Sequence, residues 1–255
     1  MRPDINYLSK PEGVSMGDAW FSVASPKHFW IRRRFQVLKK LAGDFPWRTS
    51  RLGEIGCGSG LVQRQVEDHF GTTLDGFDLN EYALKESVCQ TSQRYCYNIH
   101  ARNEAFKAIY DGLILFDVIE HLDDHKGFLE SALFHVKPGG RVFINVPADA
   151  GLMSAYDKAA GHVRRYGAED LLALAKSCGL AVESWTYWGR PLRPLLKVRR
   201  WKLRYATDAD AILRSGFTPP GAIGNALLML LSQFESIPQH KNGSSLMLVA
   251  RMPEA

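Results

Sequence analysis

At 255 residues with 45% hydrophobic content, the chain suits one α/β domain with elaborations and carries enough apolar material for a sizeable core. Its longest apolar run, Ala226 to Leu231, falls far short of the about 18–20 residues of a membrane span, and residues 1–10 lack the apolar core of a secretion signal. The four cysteines (Cys57, Cys89, Cys96, Cys178) make neither a C-x-x-C pair nor zinc spacing, so free thiols in a reducing cytoplasm are expected.

In chain order, 26–41 places Phe29, Trp30, Phe35, Val37, Leu38 and Leu41 between Arg32, Arg33, Arg34, Lys39 and Lys40. That spacing predicts an amphipathic helix, read as a cap on the sheet edge, with a lid closing over a bound ligand, Arg33 or Arg34 reaching its carboxylate, as the alternative. Strands and helices then alternate: 51–56, 61–70, 73–78, 80–91, 95–99, 113–117, 126–135, 141–146, 168–178 and 181–187. Such alternation predicts a parallel sheet with helices on both faces. Residues 222–234 read as an apolar helix, and 245–251 as a closing strand.

The turn after the first core strand carries the chemistry. Glu54-Ile55-Gly56-Cys57-Gly58-Ser59-Gly60 removes the β-carbon at alternate positions, so backbone N–H groups opening the next helix can approach a ligand. Asp78 ends the following strand, where a carboxylate can take both hydroxyls of a ribose. The third glycine comes one residue earlier than in the dinucleotide pattern G-x-G-x-x-G. Glu54 would repel a pyrophosphate and attract an ammonium group.

Glu-x-Gly-x-Gly-x-Gly with the ribose acid resembles class I S-adenosylmethionine-dependent methyltransferases. Tyr110 to Leu122, Val136-Lys137-Pro138-Gly139-Gly140 running to Pro147, and Gly161-His162-Val163-Arg164-Arg165-Tyr166 extend the resemblance in order, toward the small-molecule branch. It covers roughly 50–188 and the last strand. It implies a doubly wound, mostly parallel seven-stranded Rossmann-like sheet, with the last strand antiparallel beside the fifth. It also implies S-adenosyl-L-methionine as cofactor. Glu54 would organise the methionyl ammonium, Gly56, Cys57, Gly58 and Gly60 would line the approach, and Asp78 would hold the ribose. Leu79 would pack on adenine, Phe116 and Asp117 would meet the methionyl part, and the adenine amino partner would lie within 98–103.

Four segments are expected: a helical cap (1–50), the cofactor-binding core (51–188), a basic and apolar helical insert (189–243) and the closing strand (244–255). The insert holds nine basic against three acidic residues, a net +6 in a chain of net +5, so the rest is nearly neutral. Basic character this local suits a specific partner more than polyanions in general. A lid, a solvated face, a peripheral contact with anionic membrane through 190–204, a phosphate-bearing acceptor and a homodimer surface all fit, while nucleic acid is disfavoured.

For acceptor chemistry, His162 is the candidate base and His121 a second candidate. Arg165 and Tyr166 are candidate acceptor contacts, with packing favoured for Tyr166. Asp117, Glu120 and His121 at i, i+3 and i+4 resemble the metal element of polyprenyl-quinone and small-RNA methyltransferases, but no metal is expected here. The leading reading is O-methylation of an amphiphilic, quinone-like or anionic small molecule by in-line displacement. An RNA-modifying enzyme and a non-catalytic nucleoside-binding module are the alternatives.

Overall fold

The computed structural model describes residues 3–13, 20–21, 24–218 and 221–254. Its centre is one sheet built from β1 (Ile5–Tyr7), β2 (Leu52–Ile55), β3 (Asp75–Asp78), β4 (Arg94–Cys96), β5 (Tyr110–Phe116), β6 (Val136–Pro147), β7 (Ala181–Trp188) and β8 (Ser245–Arg251). The order is β1-β4-β3-β2-β5-β6-β8-β7. β1 to β6 pair in parallel, and β8 lies antiparallel between β6 and β7.

The sheet has eight strands where seven are expected. The extra one, β1, pairs Ile5, Asn6 and Tyr7 with Arg94, Tyr95 and Cys96 at the edge. It is short and mostly exposed, so no alternating apolar pattern announces it.

Nine helices accompany the sheet among the described residues: α1 (Phe29–Ala42), α2 (Leu61–Phe70), α3 (Glu81–Lys85), α4 (His125–Leu133), α5 (Ala155–Ala159), α6 (Ala168–Ser177), α7 (Arg193–Lys202), α8 (Ala209–Phe217) and α9 (Gly221–Leu231). Strand side chains alternate between two cores. Leu113, Leu115, Leu246 and Leu248 join the cluster under α4 and α6, while Ile114, Phe116, Met247 and Val249 join the cluster under α1 and α2. A sheet buried on both faces needs apolar residues at every strand position, as β5 has from Gly112 to Phe116.

α3 stops at Lys85 although a helix over 80–91 is expected. The chain is drawn back to the glycine turn instead, with Val88 N–H donating to Ser59 O at 2.9 Å. The Lys137–Gly140 turn opens β6 as an irregularity against β5, which aligns Gly112 with Arg141.

The direction of winding reverses between β2 and β5, because β3 and β4 lie on one side of β2 and β5, β6, β8 and β7 on the other. Ligands of open parallel sheets sit outside the strand C-termini at such a reversal.

Candidate active site

The ends of β2, β3 and β5 and part of α1 enclose a cavity of about 440 Å³ at this reversal. Gly56, Gly58 and Gly60 have φ of 74°, 51° and 70°, a region that disfavours L side chains. A β-carbon on Gly56 would sit 2.4 Å from Val118 Cγ2, and one on Gly58 would sit 2.9 Å from Phe21 Cε1. Gly56 and Cys57 N–H donate to Phe77 O at 2.8 and 3.1 Å, which fixes the turn to β3.

Asp78 supports the turn as well. Its Oδ2 accepts from Gly58 N–H at 2.7 Å and its Oδ1 from Asn80 N–H at 2.8 Å. Burial nonetheless raises its pKa above the ordinary carboxylate value.

Glu54 is 2% exposed, and its Oε2 has no hydrogen-bond partner among the described residues. Burial raises its pKa well above the usual range, Arg34 opposes that, and Asp78 adds to it. A buried carboxyl in this state is complementary to an entering cation.

Of the two arginines singled out on α1, Arg34 lines the cavity. It pairs with Asp117 and lies over the Phe116 ring, 5.0 Å from its centroid. Arg33 turns away to Glu235 at 3.2 Å. Asp117 adopts φ 57° at the end of β5 and also accepts from Asn145 Nδ2 at 2.7 Å. Asn145 in turn accepts from Trp188 Nε1 at 2.8 Å. This Arg34–Asp117–Asn145–Trp188 chain escaped the sequence reading, because its members lie on four elements with no local spacing.

Leu79, Asn98, Ile99 and His100 line the same cavity, so part of the stretch expected to meet adenine faces it. Cys57 and Phe116 do so too. Trp20 and Phe21 also contribute to the wall, with no motif to mark them.

Of the two candidate histidines only His121 belongs to the cavity wall, with His162 packed behind it. His121 lines the cavity, and its ring centroid is 4.9 Å from that of His162. Burial lowers the His121 pKa to about 3, helped by His162. His162 Nδ1 is 3.1 Å from Asp157 Oδ1. Glu120 is fully buried, and neither carboxylate oxygen has a hydrogen-bond partner among the described residues. Burial and Asp117 raise its pKa well above the ordinary value, against the lowering effect of Arg165 and Arg34.

The expected grouping of Asp117 with Glu120 and His121 on one helical face is not what forms. Ile119–His121 is a single 3-10 turn, and the positive φ of Asp117 commits its carboxylate to Arg34 and Asn145. His162 takes the third place instead: ligand-capable atoms of Glu120, His121 and His162 lie within 4.8 Å of one another.

Arg165 and Tyr166 stand apart from the cavity wall. Arg165 bonds Asp157 Oδ1 through Nε at 2.8 Å and Ala148 O through Nη1 at 2.8 Å. Tyr166 is 2% exposed, with its hydroxyl 2.7 Å from His125 Nδ1 and 3.2 Å from Ile119 O. Both therefore brace the 148–167 loop. Asp157 is the hub of that loop, accepting also from Ser154 N–H and Oγ at 2.9 and 2.8 Å. Burial alone would raise its carboxyl, yet His162 and Arg165 hold it well below the ordinary range.

A glycine turn, a strand-end acid and a winding reversal define a nucleoside-binding α/β protein. The match of residues 27–184 to the methyltransferase domain model makes the class specific: the chain belongs to this family, within the class I S-adenosylmethionine-dependent methyltransferases. It is 28% identical over 115 residues to the ubiquinone biosynthesis O-methyltransferase of Vibrio cholerae, covering 43% of this chain and 45% of that protein. The mitochondrial ubiquinone biosynthesis O-methyltransferase of Homo sapiens is 25% identical to this chain over 123 residues, which cover 44% of this chain and 33% of that protein. The chain thus spans less than half the length of these curated relatives. Among solved structures, phosphoethanolamine N-methyltransferase 2 of Haemonchus contortus, in complex with S-adenosyl-L-methionine, has the same fold. Its TM-score is 0.58 at 18% identity, over 89% of this chain and 56% of that one.

Proposed function

We propose that the protein transfers a methyl group from S-adenosyl-L-methionine to a hydroxyl of a small, amphiphilic acceptor. The observation that carries this reading is the buried Oε2 of Glu54, without a hydrogen-bond partner among the described residues, beside the glycine turn and Asp78 in one cavity. A sulfonium cofactor with an ammonium, a carboxylate and a ribose meets a matching group at each point: Glu54 for the ammonium, Arg34 for the carboxylate and Asp78 for the ribose. When bound, that cofactor supplies an electrophilic methyl carbon for in-line displacement. The chain supplies alignment, through the glycine turn, and exclusion of water, through Trp20, Phe21 and Phe116. His121 faces the acceptor, with His162 behind it and oriented by Asp157. His162 takes the proton of the acceptor hydroxyl, since burial leaves His121 too weak a base, and Glu120, once ionised, balances the charge. The names of the curated relatives support a hydroxyl on a quinone-like ring over an amine.

Calorimetric titration with S-adenosylhomocysteine tests the cofactor site. Micromolar binding by the wild type, weakened about tenfold or more by Asp78→Ala, supports it. Folded protein that binds nothing would return the reading to a nucleoside-binding module of other ligand. A screen of catechol-like acceptors against short RNAs then separates the small-molecule enzyme from the RNA-modifying alternative.

One observation favours a metal-assisted variant of this reading. The two Glu120 oxygens, neither hydrogen-bonded among the described residues, stand beside two imidazoles, with His162 Nε2 3.9 Å from Oε1, a donor set that fits a divalent cation. Glu120, His121 and His162 would hold the ion, which would supply Lewis-acid polarisation of the acceptor oxygen. Turnover that survives exhaustive chelation excludes this variant; turnover restored by magnesium or manganese supports it.

A further inference from the structure

The segment between β7 and β8 carries a second, distinct surface. α9 contains no charged residue, and none of its side chains is buried. Asn225 anchors it to α1, accepting from Phe29 N–H at 2.8 Å and donating to Lys27 O at 3.0 Å. Ile223, Leu227 and Leu230, with Phe234 just beyond the helix, follow at spacings of one helical stripe, and they are 79%, 60%, 58% and 71% exposed. Apolar side chains so exposed in one row are not the scattered surface leucines of an ordinary domain.

α7 has the opposite composition and a similar exposure. Residues 193–204 hold six basic side chains and no acidic one. Leu195, Val198, Trp201 and, beyond the helix, Tyr205 are exposed among Lys197, Arg200, Lys202 and Arg204. The Arg204 guanidinium covers the Trp201 and Tyr205 rings at 4.5 and 4.7 Å. The turn Arg190–Leu192 touches both α7 and α9, so the two helices belong to one region of the molecule.

We infer that α7 and α9 form a docking face for an anionic lipid bilayer. Aliphatic side chains on one helix and basic residues with Trp and Tyr on its neighbour match the two layers of a bilayer surface, acyl boundary and charged headgroups. Eleven residues of α9 span only about 16 Å, which suits a helix lying in the interface and cannot cross it. A second copy is the poorer occupant, because a two-fold interface over this face would bring two α7 helices of like charge together.

The face also communicates with the acceptor side of the cavity. Arg193 pairs with Asp149, Arg200 donates to Gly151 O, and Arg199 lies over the Tyr156 ring at 4.0 Å. α7 is thereby tied to the loop that carries Asp157 and His162, where an acceptor drawn from the bilayer would arrive. The docking itself does not depend on methyl transfer, so the two readings fail separately.

Cosedimentation of the full chain with phosphatidylcholine vesicles, with and without phosphatidylglycerol, tests this inference. The wild type should sediment with the anionic vesicles, and less so at high salt. Leu227→Asp/Leu230→Asp should lower the partition coefficient about ten- to a hundredfold, and Lys197→Glu/Lys202→Glu should remove the preference for anionic lipid. Unchanged circular dichroism and unchanged S-adenosylhomocysteine binding would establish that the variants fold. Wild type that stays in the supernatant, or variants that partition like it, would overturn the inference. A wild-type dimer that the leucine variant dissociates, with no vesicle binding, would assign the face to a second copy instead.

Discussion

Glu54, in the cavity wall, and Glu120, next to the cavity-lining His121, are two buried carboxyls, and each costs stability when ionised. Both have folded pKa values raised by burial, so the ligand-free fold loses stability as pH rises from the ordinary carboxylate value through the raised one. Neutralising Glu120 without changing its shape removes that cost. Glu120→Gln is expected to stabilise the ligand-free protein by about 0.5–2 kcal/mol at neutral pH, measured by urea unfolding. The same variant should lower kcat about 10²–10⁴-fold while leaving S-adenosylhomocysteine affinity unchanged, because it removes the countercharge for proton transfer and touches no cofactor contact. A variant both less stable and fully active would show Glu120 to be structural. Gly56 gives a second residue-scale test. Gly56→Ala puts a β-carbon 2.4 Å from Val118 at φ 74°, so it should weaken cofactor binding and cost about 1–3 kcal/mol of stability.

At the scale of elements, the 148–167 loop illustrates what a sequence can reveal. Its length marks it as functional, and His162, Arg165 and Tyr166 are visible as chemistry-bearing residues, yet the roles of His162 and Arg165 depend on Asp157, which no motif flags. Asp157 collects Ser154, His162 and Arg165 across a loop whose partners are set only by folding. The glycine turn and Asp78 were legible because their function is written in backbone freedom and strand ends, both local properties. The edge strand β1 and the early end of α3 were not, since one depends on pairing with Arg94–Cys96 and the other on Val88 bonding Ser59. The loop's dependence on Asp157 has a measurable consequence. Asp157→Asn leaves the Arg165 guanidinium, only 6% exposed, with a neutral partner, at a cost of about 3–5 kcal/mol. Hydrogen exchange should then accelerate across 148–167 and spare β5. With its folded pKa depressed, Asp157 stabilises the protein fully above the unfolded value near 3.8, and this contribution should fade as pH falls below that value.

Across the whole molecule, cofactor binding couples to proton release. Glu54 sits in a sheet centre buried on both faces, where its ionisation is opposed until a cation arrives. An ammonium group entering beside it favours the carboxylate, so Glu54 should release a proton on binding at any pH between its value in the complex and its raised ligand-free value. The apparent binding enthalpy of S-adenosylhomocysteine should therefore depend on the ionisation enthalpy of the buffer, differing between phosphate and Tris at one pH. Glu54→Gln should abolish that dependence and weaken binding about tenfold or more, whereas Asp78→Ala should weaken binding and keep it. The same linkage acts on stability. S-adenosylhomocysteine at about a hundred times its Kd should stabilise the fold by about 2.7 kcal/mol. Because the ligand favours the ionised carboxyl, its affinity should fall as pH drops below the raised ligand-free value of Glu54, and the stabilisation at a fixed ligand concentration should shrink with it. Buffer-independent enthalpy in the wild type would mean that Glu54 is already ionised without ligand, and Arg34 would then be its partner in the empty cavity.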